Sequence, residues 1–161
     1  MKKLVLAVAF AVPLAFAAAA SADTPTSVQE TLHRSIPTFA TCPGFTVRGE
    51  FDVTRTVVTF YDGSGVAIRR VFHVHFTGTL SNSVTGKSLA DEGGQIVTQD
   101  LVAGTTTIVG RQRMDTEPGL GVVFADAGRV IRDPSGAPIF LAGQHDLLEG
   151  EIASLCNFLA G

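Results

Sequence analysis

From Gly44 onward the chain alternates, with Phe45, Val47, Phe51 and Val53 on one side of an extended segment and Thr46, Arg48, Glu50 and Asp52 on the other. Side chains that repeat every second residue predict a strand with one face buried. The stretch from Thr54 to Tyr61 stays rich in β-branched and aromatic residues, and Asp62-Gly63-Ser64-Gly65 marks a turn. The next run places Val66, Ile68, Phe72, Val74, Phe76 and Leu80 on one face and Arg69, His73, His75 and Thr77 on the other, with Arg70 out of place on the apolar side. Asn82 to Gly86 is a turn, and shorter strands are expected at about Lys87 to Asp91, Gln95 to Val102 and Thr105 to Met114. After the break at Glu117-Pro118-Gly119, Gly121 to Arg132 and Pro138 to Gln144 predict two more strands. The turn between them, Asp133-Pro134-Ser135-Gly136, has proline at its favoured second position.

The two ends break the period. Residues 23–41 are polar and irregular, and Ser27-Val28-Gln29-Glu30 has the spacing of a capping box that opens one short helix ending near His33 or Arg34. Near the C-terminus Asp146-x-x-Glu149 is a second capping pattern, and Leu148, Ile152, Leu155, Cys156 and Leu159 recur at helical spacing. A short C-terminal helix packed on the sheet is expected. About seven or eight strands with no helix between them indicate an all-β, antiparallel domain. An up-and-down β-barrel is preferred to a β-sandwich, because the turns follow one another as hairpins and closure removes free edges.

The first residues change the picture from a bare domain to an exported one. Lys2 and Lys3, the apolar run from Leu4 to Ala20 and the small residues Ala20-Ser21-Ala22 have the three parts of a secretory signal peptide, so residues 1–22 are expected to be removed. Removal of 22 of the 161 residues leaves 139, enough for one domain, assigned to 42–161 with the irregular segment 23–41 before it. No later stretch is long and apolar enough for a membrane helix. Without Lys2 and Lys3, 10 basic residues stand against 15 acidic ones, a net charge of -5 that argues against nucleic acid as a partner. Cys42 and Cys156 are the only cysteines, and an even count in an exported chain predicts a disulfide between them.

Candidate chemistry is sparse. His73-x-His75 places two imidazoles on one strand face, half of a zinc or copper site, with His145, Asp146 or Glu50 as sources of a third ligand. Two exposed histidines on the polar face of the strand are the simpler expectation. Arg48, Arg69, Arg111, Arg113 and Arg129 fall on polar strand faces, where they either gather into an anion patch or pair with acids such as Glu50 and Asp52. No Gly-x-Ser-x-Gly elbow and no glycine loop between a strand and a helix occurs, so no catalytic residue or cofactor is assigned. Eleven phenylalanines and no tryptophan suit either a filled interior or a hollow one. If the interior is hollow, Phe51, Phe60, Arg70, Phe72, Phe76, Phe124 and Asp126 are the expected ligand cavity.

Three motifs, Asn82-x-x-x-Gly86-Lys87-Ser88, Gly104-Thr105-x-Thr107-x-x-Gly110 and Phe124-x-x-x-Gly128-Arg129, precede a late cysteine. Together they make the stretch from Cys42 to Gly161 resemble small secreted actinobacterial proteins of unassigned function. That resemblance implies no catalytic residue. The architecture is also similar, as fold analogy alone, to lipocalin-like, allene oxide cyclase-like and dirigent-like barrels, whose interiors hold small apolar molecules. The expected function is therefore a secreted, non-enzymatic domain that binds a small apolar molecule or a cell-envelope partner. The alternative is a barrel enzyme of the cyclase or isomerase kind acting on a small hydrophobic substrate.

Overall fold

A computed structural model describes residues 24–161, so the signal peptide expected at 1–22 lies outside the described residues. Seven strands follow one another: β1 (Thr26–Cys42), β2 (Phe45–Tyr61), β3 (Ala67–Asn82), β4 (Ser88–Asp100), β5 (Thr106–Glu117), β6 (Gly121–Arg132) and β7 (Pro138–His145). Every neighbouring pair is antiparallel and the order in the sheet is the order in the chain. Two short helices, α1 (Asp146–Glu149) and α2 (Ala153–Ala160), end the chain. The protein is thus all-β and antiparallel. Among the described residues no ladder joins β1 to β7, so the sheet keeps two edges.

Three expectations need correction. Within the segment expected to be irregular at 23–41, the chain is strand from Thr26 and Ser27 opens no helix: this is β1, whose Thr26 to Ile36 pair with Thr59 to Gly49 of β2. Ladder hydrogen bonds to a long apolar neighbour outweigh the local capping signal. The strands expected at Lys87 to Asp91 and Gln95 to Val102 are one strand, β4, running through Gly93 and Gly94. The single C-terminal helix is broken at Gly150, which adopts a left-handed conformation (φ 79°) that glycine enters without steric cost.

The sheet coils strongly. Phe39 of β1 and Phe124 of β6 stack edge to face with ring centroids 5.8 Å apart, although in a flat sheet five strand spacings would separate those strands by about 24 Å. Glycines permit the bend. Gly128 of β6 faces Gly143 of β7, both at positive φ (134° and 107°), and a Cβ on either would run into the backbone of the other strand. Backbones this close exclude any side chain.

The core lies at the end of the sheet where β1 finishes. Val47, Leu80, Leu89 and Phe124 of the sheet are almost fully buried there, together with Leu155 and Leu159 of α2. Each such side chain contributes about 1.5–3 kcal/mol relative to exposure. Cys42 and Cys156 are joined in a disulfide with Cα atoms 5.5 Å apart, tying β1 to α2 across 114 residues of sequence. Buried Asn82 adds a second tie: its Nδ2 donates to the Leu159 carbonyl at 3.0 Å, while its Oδ1 accepts from Val84 and Thr85 in the following turn. No described helix is long and apolar enough to cross a membrane.

Candidate functional site

The concave face of the sheet carries a hollow of about 450 Å³. Its apolar wall is Ile36 of β1, Phe51 and Val53 of β2, Val74 and Phe76 of β3 and Ile108 of β5. Ladder register explains the grouping: Val53 faces Leu32 on one side and Phe76 on the other, Val74 faces Gln95, and Val97 faces Ile108. A smaller space of about 280 Å³ adjoins it, sharing Arg34, Val53, Val74 and Gln95 and adding Phe72 and Val97. The polar groups of the larger hollow are Arg34, Ser35, Gln95, Gln112 and Arg113, with no carboxylate among them.

Arg113 stands at the junction of hollow and core. Its Nε donates to Asp91 Oδ2 at 2.8 Å, and its guanidinium carbon lies 4.6, 5.1 and 4.9 Å from the ring centroids of Phe39, Phe51 and Phe76. Contacts of this kind stabilise a desolvated cation. The sequence pattern put Arg113 on the same polar face as Arg111. A bulge corrects that: Arg111 faces Ala127 and Arg113 faces Asp126, so the intervening Gln112 inverts the alternation. Arg111 stays outside, 3.5 Å from Glu92, and Arg113 turns in.

Around Arg113 the chain buries an ionisable cluster that periodicity did not disclose. Asp91, Asp115, Asp126, His145 and Asp146 are each less than a tenth exposed. Burial, reinforced by the facing Asp91, pushes the Asp115 carboxyl up to about 7, with Arg113 opposing the shift and the Glu92 amide donating to the carboxylate. Burial also pushes Asp126 up to about 6, against the pull of Arg113 and His145. Asp91 is raised for the same reason despite its bond to Arg113. Asp91 Oδ1, Asp115 Oδ2, Asp126 Oδ1 and His145 Nδ1 are buried without a hydrogen-bond partner, the His145 Nδ1 to Asp126 Oδ1 separation being 3.9 Å. Asp146 is satisfied, accepting from the Ala125 amide and from Gln144 Nε2, both at 2.8 Å.

Asp91 and Asp115 also border an opening of about 280 Å³. It lies where β4 and β5 part, since their pairing runs from Gln99↔Thr106 to Ile96↔Val109 and goes no further. The cluster therefore meets the hollow through Arg113 and the opening through its two acids.

The seven residues expected to form a cavity do not gather in one place. Phe51 and Phe76 line the larger hollow and Phe72 the smaller. Phe124 is fully buried against Phe39, and Asp126 belongs to the ionisable cluster. Phe60 lies in a different depression under the guanidinium of Arg69, 4.1 Å from its ring centroid. Arg70 is exposed. His73 and His75 are exposed on the outer face, His145 is fully buried elsewhere, and among the described residues no group of three or more His, Cys, Asp or Glu is placed to hold a metal. Glu50 and Asp52 pair not with an arginine but with His33, whose Nε2 and Nδ1 each lie 3.0 Å from one of them. Comparison of the chain with protein-family models, with curated protein sequences and with solved structures returns no match.

Proposed function

We propose that this is an exported binding protein whose coiled sheet acts as an open barrel and holds a small, largely apolar molecule in its concave hollow. The observation that carries the reading is the hollow itself: about 450 Å³ walled by six aliphatic and aromatic side chains from four strands. That volume is within the range of small-molecule sites, and a few polar groups on apolar walls are their usual make-up. Small barrels that pack their interior solid leave no such space. Export is consistent with the disulfide and with the basic, apolar and small-residue segments at the start of the chain.

The test is uptake of the neutral dye N-phenylnaphthylamine, followed by its fluorescence, together with mass spectrometry of molecules extracted from the purified protein. Wild type is expected to bind the dye at micromolar concentration, and Val74→Trp, which fills the hollow, to lose that binding without unfolding. No dye uptake together with an empty extract would overturn the reading.

One observation favours a second reading, a cyclase-like or isomerase-like enzyme. Asp115 and Asp126, raised to about 7 and about 6, are poised for proton transfer near neutrality. Neither carboxylate lines the hollow, and that separation supports binding over catalysis.

A further inference from the structure

Resting on the reading of the hollow as a ligand site, we infer that its ligand is a single-chain amphiphile with an anionic head, of the fatty-carboxylate class, held by Arg34 and Arg113. The chain as a whole is acidic, with a formal net charge of -3. Its concave face is charged the opposite way: Arg34, Arg55 and Arg113 line the larger and smaller hollows, and no carboxylate lines either. Two of these cations have their own counter-ion, Arg55 with Glu30 and Arg113 with Asp91. Arg34 makes no ion pair and no side-chain hydrogen bond among the described residues, although it borders both spaces.

A second observation points to the same chemistry. Gln112 is among the residues lining the larger hollow, and its Nε2 is a buried donor with no hydrogen-bond partner among the described residues. Leaving such a group unpaired is costly, and an acceptor arriving with the ligand removes the cost. Arg113 adds unused donor capacity, since only its Nε is engaged. Two guanidiniums, that of Arg113 already paired with Asp91 through its Nε, and an orphaned amide N–H, with no carboxylate lining the hollow, form a site for an oxyanion, because planar guanidiniums bind carboxylate oxygens through paired donors. The apolar wall formed by Val53, Val74, Phe76 and Ile108 requires the rest of the ligand to be hydrocarbon.

The experiment is displacement of N-phenylnaphthylamine from the disulfide-bonded protein by decanoate, decanol, decyltrimethylammonium and acetate. Decanoate is expected to displace the dye at least about tenfold more tightly than decanol, decyltrimethylammonium to be weaker than either, and acetate to have no effect, because a charge-assisted bond is stronger than a neutral one. Arg34→Gln, a change at an exposed position, is expected to remove most of the decanoate advantage and leave decanol unchanged. Equal affinity for decanoate and decanol overturns the anionic head while leaving the hollow as a ligand site. Displacement by acetate alone overturns the amphiphile in favour of a free-anion site. Failure of the dye itself to bind overturns the underlying reading.

Discussion

Carboxyls held protonated inside the fold make the protein lose stability as the solution approaches neutrality, the reverse of what paired surface acids do. Asp115 moves from an ordinary 3.8 to about 7 on folding, driven by burial beside Asp91 and opposed by Arg113, with Glu92 nearby. Asp126 moves from 3.8 to about 6 under burial, with Arg113, His145 and Asp146 around it. Between the unfolded and folded values the native chain holds a proton that the unfolded chain has released, so stability falls by about 1.4 kcal/mol per pH unit for each group. From about pH 5 to about pH 7 this removes about 2 kcal/mol through Asp115 and about 1 kcal/mol through Asp126, an upper figure because the two share Arg113. Glu50, Asp62 and Asp133, held low by hydrogen bonds from Ser35, Ser64 and Ser135 respectively, keep their contribution throughout that interval and lose it only in stronger acid. His33, raised by Asp52 and Glu50, acts in the same direction as the buried acids, since its stabilisation is present at low pH and fades as pH rises through its folded value. The assay is urea unfolding followed by far-ultraviolet circular dichroism across this range, with the disulfide intact, in wild type, Asp115→Asn and a His33→Gln background. Asp115→Asn is expected to flatten most of the slope. A wild type equally stable at both ends, or a variant that keeps the full slope, refutes the argument.

Gly93→Ala is expected to cost at least about 2 kcal/mol in urea unfolding, because its Cβ would collide with the Gln112 carbonyl and the Phe76 ring. Gly94→Ala meets only ordinary contact, the nearest atom being the Val74 carbonyl oxygen at 3.4 Å, and should change stability far less. The double variant Cys42→Ser/Cys156→Ser opens a loop of 114 residues and is expected to lose up to about 4–5 kcal/mol, read as a shift of the urea midpoint.

The strand content was legible because β2 and β3 alternate over many residues around one buried face, and no helical period competes there. The disulfide was legible for a different reason: two cysteines leave a single pairing. What misled was local signal set against long-range pairing. Ser27 to Glu30 has the letters of a capping box, but Glu30 is used sideways, as the partner of Arg55 across the β1–β2 ladder. Likewise Gly93 and Gly94 look like a break between two strands, whereas both lie inside β4 and Gly93 gives the backbone of β5 room to approach at Gln112.

The candidate site was far less legible, and one residue accounts for much of the loss. Alternation is a rule of parity, and a single inserted residue reverses it for everything downstream until the next irregularity. Gln112 is that residue in β5: it separates Arg111, outside against Glu92, from Arg113, inside against Asp91 and three phenylalanine rings. Once Arg113 is inside, the acids that would be solvated by simple alternation become its counter-charges. Asp91 binds it directly, while Asp115 and Asp126 feel its field, too weakly to offset their burial. Those acids come from three different strands, so no spacing along the chain relates them. The same displacement bears on the hollow, for Gln112 itself, pushed out of the ladder, is left with a buried amide nitrogen that no described residue satisfies. The bulge thus aims one cation and one donor inward, and in the β5–β6 ladder it leaves only Gln112 unpaired between Arg111 and Arg113.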